Sequence, residues 1–583
     1  MQLARFLPVL EWLPNYQKSY LKGDIAAGLT VGIMLIPQGM AYAIIAGLPP
    51  VYGLYASLVP QVIYAFTGTA RQLAVGPVAM DSLLVAAGVS MFAQGGTEEY
   101  ILLAILIAFM MGAMQLVLGI FRLGFLVNFL SRPVISGFTS AAALIIGLNQ
   151  VKHLIGAEVP RSSQIHTLVY GAAQGILETH WQTLIIGLLG IVIIRSVKTL
   201  NKKYKKAVPG ALIVVVFGIL AVMSFGLDTQ GVKIVREVPQ GLPDFAIPAI
   251  TLERVKNLLP IAATIALIAF MESIAVAKAV QAKHKDYEVD ANQELIALGL
   301  SNVVGSFFQC YPTTGGFSRT AVNDQAGAKT GIAPLISAAL IGLTLLFLTP
   351  LFYYLPKAVL ASIIMVAVFG LIDTKYPVFL WENKRDEFWM LLVTFVVTLT
   401  VGIREGILVG VGLSLAMVIY QSTRPHVAAL GQVKGTDEFR NLDRFDDLIE
   451  HPNVLILRYD AQLYFANASH FRETLLAAVE QKGEALKLLI LNAESINAID
   501  STGINTLREL VNDLRTKNVE VYLTGVIGPV RDVLFRTGIM DEIGEQNFFL
   551  DIPFALRHFE QEGETESERS PRYAVQTSYR EKQ

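Results

Sequence analysis

Two short stretches of this chain place residues where an anion could be held. Gly76-Pro77-Val78-Ala79 and Gly316-Phe317-Ser318-Arg319 each interrupt an otherwise apolar run with glycine. A break of this kind gives extended backbone followed by a fresh helix start. The first turn of a helix carries unpaired N–H groups and the positive end of the helix dipole. Two such starts facing each other would form an anion site. Val78, Ala79, Phe317 and Ser318 would offer backbone N–H groups, Ser318 a hydroxyl as well, and Arg319 a fixed positive charge. Gln38 and Tyr42, one helical turn apart in an earlier apolar run, would line the same pocket. The plainer reading of either break alone is that glycine lets two helices approach, as small residues do in membranes. The pairing of two breaks beside an intramembrane arginine favours the site.

Glu272 stands deep in another apolar run, where a carboxylate is expensive and a functional candidate by default. Ionised, it would repel a bound anion; protonated, it would not, and one proton would then enter with the anion. A structural ion pair with Arg319 or Lys278 is the alternative. Asp81, in the first turn after the first break, is a second buried acid, open between a bound cation and a polar neighbour. His153, His166, His180 and His284 fall between apolar runs and are expected in solvent. No nucleophile–base pair, metal cluster or Walker motif is visible, so neither an enzyme nor a cofactor is expected. The single cysteine, Cys310, excludes an internal disulfide and a Cys-based zinc site. A formal net charge of −2 shows no basic excess for nucleic acid.

The elements that must position these residues are membrane spans. Of 583 residues 53% are hydrophobic and only 16% charged, against about a quarter charged in an ordinary soluble chain. That excludes a purely soluble protein. Residues 1–23 are too polar and broken for a signal peptide and read as a cytoplasmic N-terminal segment. Apolar runs long enough to span are 24–46, 100–120, 133–150, 181–199, 208–226, 257–280, 331–350, 356–372, 386–402 and 404–421. Shorter runs broken by Gly or Pro, at 52–67, 77–92, 291–308 and 316–328, bring the total to fourteen. With the N-terminus and its Arg5, Lys18 and Lys22 in the cytoplasm, connectors after even-numbered spans are the basic ones: Arg71; Arg122 and Arg132; the lysines between 198 and 206; Lys283 and Lys285; Lys329; Lys384 and Arg385. The connector holding Lys233, Arg236, Arg254 and Lys256 is the exception. Gly53–Gly76 and Gln293–Gly316 have equal length and both end in a glycine break. Spans 1–7 and 8–14 therefore read as two inverted seven-helix repeats, the arrangement in which broken helices meet at a substrate. The transport domain is expected over 24–422.

After Ser422 the character changes, and from about Asp437 to residue 560 the pattern is α/β. Strands are expected at Val454–Tyr459, Lys487–Asn492 and Val519–Thr524, with helices over Phe465–Val479, after Asp500-Ser501-Thr502-Gly503, and from Pro529. Residues 561–583, rich in Glu, Ser, Arg and Gln, read as a disordered tail. Asp500 or Ser501 would cap the helix that follows. This part resembles a STAS domain such as those of anti-sigma-factor antagonists, and the resemblance implies Ser501 as a candidate regulatory phosphorylation site, where a helix N-terminus tolerates phosphate.

These residues resemble the sulfate permease family of anion transporters, over about Phe6–Phe559. The stretches that carry the likeness are Ile36-Pro37-Gln38-Gly39-Met40-Ala41-Tyr42-Ala43, Pro49-Pro50-Val51-Tyr52-Gly53-Leu54-Tyr55-Ala56-Ser57, Glu272-Ser273-Ile274-Ala275-Val276-Ala277-Lys278, Asn292-Gln293-Glu294-Leu295 and Gly316-Phe317-Ser318-Arg319-Thr320-Ala321-Val322-Asn323. The resemblance implies a core domain of spans 1–4 and 8–11, a gate domain of spans 5–7 and 12–14, elevator-type movement of core against gate, and a homodimer. It implies anion contacts at Gln38, Tyr42, Val78, Ala79, Phe317, Ser318 and Arg319, and a proton-linked glutamate at Glu272. Val78 stands where some relatives carry an aromatic residue, and Asp81 matches no family role. The C-terminal part resembles a STAS domain, expected in the cytoplasm. The expected function is secondary active, proton-coupled sulfate uptake across the cell membrane. Sodium-coupled bicarbonate or C4-dicarboxylate transport, and a STAS-based membrane-tethered regulator, are the alternatives.

Overall fold

The computed structural model describes residues 7–125, 131–157, 165–204, 208–284, 286–370 and 372–560. The chain divides into two compact units, at Ser414 and Leu415. The tail from 561 and the expected basic positions Arg5, Lys205, Lys206 and Lys285 lie outside the described residues.

A helix stands at each of the fourteen expected spans. They are α1 Lys18–Ile45, α2 Pro50–Thr67, α3 Ala79–Val89, α4 Glu98–Ile120, α5 Arg132–Ile155, α6 Trp181–Tyr204, α7 Gly210–Phe225, α8 Leu252–Gln281, α9 Ala291–Ser306, α10 Phe317–Gln325, α11 Ile332–Leu343, α12 Lys357–Phe369, α13 Arg385–Thr400 and α14 Ile403–Thr423. Among the described residues, seven helices are long and apolar enough to cross a membrane by length and composition alone. The shortest spans, α3 and α10, owe their length to the breaks before them: each follows a two-residue strand, β1 (Val75–Gly76) and β2 (Thr314–Gly315). Three short helices, Val9–Trp12, Ile165–Gly175 and Lys375–Asn383, were not expected from the apolar runs.

The two halves of the membrane unit repeat element by element and interlock. Helix α4 packs on α8 and α9, and its counterpart seven spans later, α11, packs on α1 and α2. Small residues set these crossings. A Cβ on Gly53 would lie 1.9 Å from the Gly39 carbonyl oxygen, so α1 and α2 touch backbone to backbone. Gly112 of α4 and Gly299 of α9 meet in the same way, with Cβ-to-carbonyl distances of 2.7 and 2.8 Å. Much of the Gln38–Tyr42 and Tyr52–Ser57 motif is thus explained by helix contact. A second group forms where α5 packs on α6, α12 and α13, and α6 on α7 and α12.

Buried acids tie the repeats together. Asp24 of α1, fully buried, accepts from the Lys329 and Thr330 amides (2.7 and 3.1 Å) and the Thr330 hydroxyl (2.7 Å). Glu294 of α9 accepts from Tyr64 Oη (2.8 Å), from Thr69 through N (2.7 Å) and Oγ1 (2.6 Å), and from the Ala70 amide (3.2 Å). His166 is exposed as expected, whereas the other three histidines depart from the expectation of free solvation. His153 lies on α5, His180 bonds Thr183 Oγ1 (2.7 Å) and the Gln230 carbonyl (3.0 Å), and His284 is 2.5 Å from Asp324.

The second unit contains a seven-stranded sheet with its main path ordered β4-β3-β6-β7-β8-β9. Its strands are β3 Val427–Val433, β4 Phe439–Asn441, β5 Leu448–Ile449, β6 Val454–Tyr459, β7 Leu488–Asn492, β8 Glu520–Thr524 and β9 Phe548–Phe549. Strands β6 to β9 run parallel and β3 antiparallel to β6. The sheet therefore takes in Val427–Val433, ahead of the expected boundary near Asp437; that strand mixes buried and half-buried positions and includes Gly431 and Gln432. Period-two burial sends Leu455, Leu457, Tyr459, Leu489, Leu491, Val521 and Leu523 to one face. Helices α15 (Ala468–Lys482), α16 (Ser501–Thr516), α17 (Gly528–Arg536) and α18 (Ile539–Ile543) cover it. Val454, Ile456, Leu488, Ile490 and Tyr522 face α19 (Ile552–Glu560) on the other side.

Candidate anion-binding site

The two breaks meet. β1 and β2 pair antiparallel, with Val75 opposite Gly315 and Gly76 opposite Thr314, so one strand from each repeat forms a single ladder. The Gly316 amide extends it to the Ala74 carbonyl (3.1 Å). Polar side chains lock the ladder in place. Ser273 Oγ accepts from the Gly315 amide (2.6 Å) and lies 2.8 Å from Thr314 Oγ1, which donates to the Ala269 carbonyl (2.7 Å). Thr320 Oγ1 accepts from the Ala74 amide (3.0 Å), and Asn302 holds Thr313 through N and O (2.8 and 2.9 Å).

Each strand delivers a helix start. Val78 is the N-cap of α3 and Gly316 that of α10, both extended and neither with a capping side chain. The first helical bonds close from Ser82 N to Val78 O and from Thr320 N to Gly316 O. The N–H groups ahead of them therefore have no partner within their helices. Arg319 is 2% exposed. Its Nη1 donates to the Pro77 carbonyl across the repeat boundary, while Nε and Nη2 have no partner among the described residues. Gly316 is needed where the guanidinium lies: a Cβ there would be 2.8 Å from Nη2.

A cavity of about 890 Å³ opens beside these groups. The seven expected anion contacts and Glu272 line it: Gln38, Tyr42, Val78, Ala79, Glu272, Phe317, Ser318 and Arg319. Phe317 and Ser318 are exposed into it, whereas Gln38, Tyr42, Val78 and Ala79 are nearly covered. The Gln38 Oε1 atom has no partner. Among the described residues Glu272 makes no ion pair. Lys278, its alternative partner, donates instead to Gln281 Oε1 (3.1 Å) and the Val289 carbonyl (2.6 Å). Asp81 does not line the cavity.

Sequence reasoning missed an apolar wall of the cavity. Phe138 of α5, Ile363 and Val366 of α12 and Ile407 of α14 form it, and Lys198 and Asn201 of α6 line the same cavity. The wall residues are ordinary apolar span residues with no local signal. Lys198 belonged to a basic connector, and Ser273, Thr314 and Thr320 are hydroxyls flanking the break, so for these a signal existed.

In the second unit Ser501 is the exposed first residue of α16. The cap is Asp500, whose carboxylate accepts from the Gly503 amide (2.8 Å) and the Phe465 amide (2.9 Å). Nearby, burial pushes the Asp460 carboxyl up, but Arg458 (2.6 Å) and His426 (2.9 Å) outweigh it and hold it below its ordinary value.

Comparison with known proteins agrees with this architecture. Residues 21–394 match the sulfate permease family and residues 447–555 the STAS domain. The chain is 40% identical over 564 residues to the chloroplastic sulfate transporter 4.1 of Arabidopsis thaliana, covering 94% of this chain and 82% of that protein. It is 35% identical to high affinity sulfate transporter 2 of Stylosanthes hamata, covering 95% and 86%. The fold superposes on murine Solute Carrier 26 family member A9, an anion transporter in the inward-facing state, with a TM-score of 0.88 at 30% identity over 96% of this chain and 94% of that one.

Proposed function

The chain belongs to the sulfate permease family, and on that premise we propose that it is a secondary active transporter that takes up sulfate together with protons. The observation that carries this reading is the cavity flanked by two uncapped helix starts, the spare Nε and Nη2 donors of Arg319, and an unpaired Glu272. Donors without acceptors at membrane depth call for an anion. Gln38, Tyr42, Val78, Ala79, Phe317, Ser318 and Arg319 bind it in this reading. An acid in the same wall must be neutral for a dianion to enter, and Glu272 takes the coupling proton.

Movement follows from the ladder. Because β1 and β2 join the half-helices of both repeats, the site is carried as one body past the apolar wall of α5, α12 and α14, which is an elevator motion. The N-terminus and the STAS domain lie in the cytoplasm in this reading, as the basic connectors require, and the Lys198 end of the cavity then faces that side. Phosphate on Ser501 would sit at the start of α16 and regulate the STAS domain.

The test is sulfate uptake into proteoliposomes under an imposed proton or sodium gradient. Uptake that follows the proton gradient, and loses that dependence in Glu272→Gln, supports the reading. Sodium dependence, or entry of bicarbonate but not sulfate, overturns it. Unchanged uptake after substitution of Arg319 would remove the anion site from the explanation.

A further inference from the structure

Asp81 has no role in the site as described, yet it is among the most unusual side chains in the membrane unit. It is fully buried, and among the described residues neither carboxylate oxygen has a hydrogen-bond partner. It sits in the first turn of α3, at the same helix start that flanks the cavity. The titratable groups that interact with it electrostatically are Glu272 on α8, Arg319 on α10 and Tyr311 in the segment before β2. Tyr42 on α1 lines the same cavity as Arg319 and Glu272 and interacts with both electrostatically. Helices α4, α5 and α12, which also pack on α3, carry charged side chains only at their ends.

We propose that Asp81 is a second proton-carrying group, so that each sulfate moves with two protons, one on Glu272 and one on Asp81. The proposal rests on the proton–sulfate reading above and deepens it. An ionised Asp81 would place a negative charge on the N-terminus of α3, competing with the anion for the same dipole end and for Arg319. Neutral Asp81 leaves both to the substrate. Binding of sulfate and of a proton at Asp81 is therefore reciprocal: each strengthens the other.

Charge balance fits two protons. With both acids ionised, Arg319, Glu272 and Asp81 together carry one net negative charge. With both acids protonated and a sulfate dianion bound, the group again carries one net negative charge. The loaded and empty carriers then cross the membrane with equal charge. Each proton is taken from the side of entry and released from its carboxyl on the other side, with no bond to sulfate made or broken.

The experiment is an equilibrium measurement on the full chain in proteoliposomes. A pH gradient is imposed at zero membrane voltage, and the sulfate ratio at which net flux stops is read. Two protons per sulfate sustain about a 100-fold ratio per pH unit, and one proton about tenfold. We expect about 100-fold for the wild type and for Asp81→Glu, and about tenfold for Asp81→Asn. An imposed potassium diffusion potential should leave the wild-type ratio unchanged and shift that of Asp81→Asn. A wild-type ratio near tenfold per pH unit overturns the proposal without any variant, so it stands or falls even where Asp81→Asn does not fold. An Asp81→Asn ratio still near 100-fold overturns it as well. A ratio that follows an added sodium gradient overturns it in favour of a cation at Asp81. Failure of the underlying reading looks different: the wild type then accumulates no sulfate in response to pH at all.

Discussion

Replacing Arg319 tests whether the cavity binds its anion as the geometry suggests. The guanidinium is anchored by one arm to the Pro77 carbonyl and has two donors, Nε and Nη2, with no partner. A hydrogen bond to a charged group contributes about 1.5–3 kcal/mol. Loss of both donors should therefore weaken sulfate binding by about 3–6 kcal/mol, or roughly 10²–10⁴-fold in Kd. Arg319→Lys keeps the charge but replaces a planar fork with a point donor on a flexible stem. It should lose at least one directed bond, about 1.5–3 kcal/mol or roughly 10–150-fold. Equilibrium dialysis of radiolabelled sulfate against the purified protein measures both, with a thermal-unfolding scan to establish that each variant is folded. A folded Arg319→Ala or Arg319→Lys protein with Kd within about threefold of the wild type would show that those donors do not hold the anion.

Ser273→Ala should remove the acceptor of the Gly315 amide and leave a buried N–H unpaired. That costs about 1–3 kcal/mol of stability and should appear as a lower unfolding midpoint, with weakened sulfate binding that Ser273→Thr partly restores. Lys198 is a cation in the cavity lining, so Lys198→Ala should raise the KM for sulfate by a few-fold at low salt, with the difference fading as ionic strength rises. Initial uptake rates at two salt concentrations decide it, and a salt-independent change would mean a structural effect. In the STAS domain, Arg458 and His426 hold the Asp460 carboxyl below its ordinary value despite its burial, so this group stabilises the fold at pH values above the unfolded carboxyl's pKa. The contribution is lost as pH falls through the lower, folded-state value. Hydrogen exchange of the β6 and β7 amides on acidification should show that loss in the wild type and little of it in Asp460→Asn.

The spans were readable because membrane solvent imposes long apolar runs, and the breaks because glycine and proline interrupt them where nothing else does. Arg319 and Glu272 stood out for the same reason, being charged where charge is costly. What stayed hidden depended on distant partners. Asp24 merely opens the first apolar run in sequence; the donors its carboxylate accepts from, the Lys329 and Thr330 amides, lie some 300 residues away. Glu294 was legible only as part of a family motif, since its partners Tyr64 and Thr69 lie in the other repeat. The wall formed by Phe138, Ile363 and Val366 is chemically identical to lipid-facing surface, so only packing distinguishes it. The strand Val427–Val433 was overlooked because its pairing with β6 skips the residues between.

The β1–β2 ladder also sets a timetable for biosynthesis. Val75 pairs with Gly315, about 240 residues later in the chain. At about 5–20 residues per second, the ribosome needs roughly 12–50 s to supply the partner strand. Until then the first repeat holds an extended segment whose backbone groups have nothing to bond within the bilayer. The first half made alone is thus an incomplete structure that the insertion machinery must shelter. Premature termination before residue 315 should yield a product cleared by membrane quality control rather than a half-transporter.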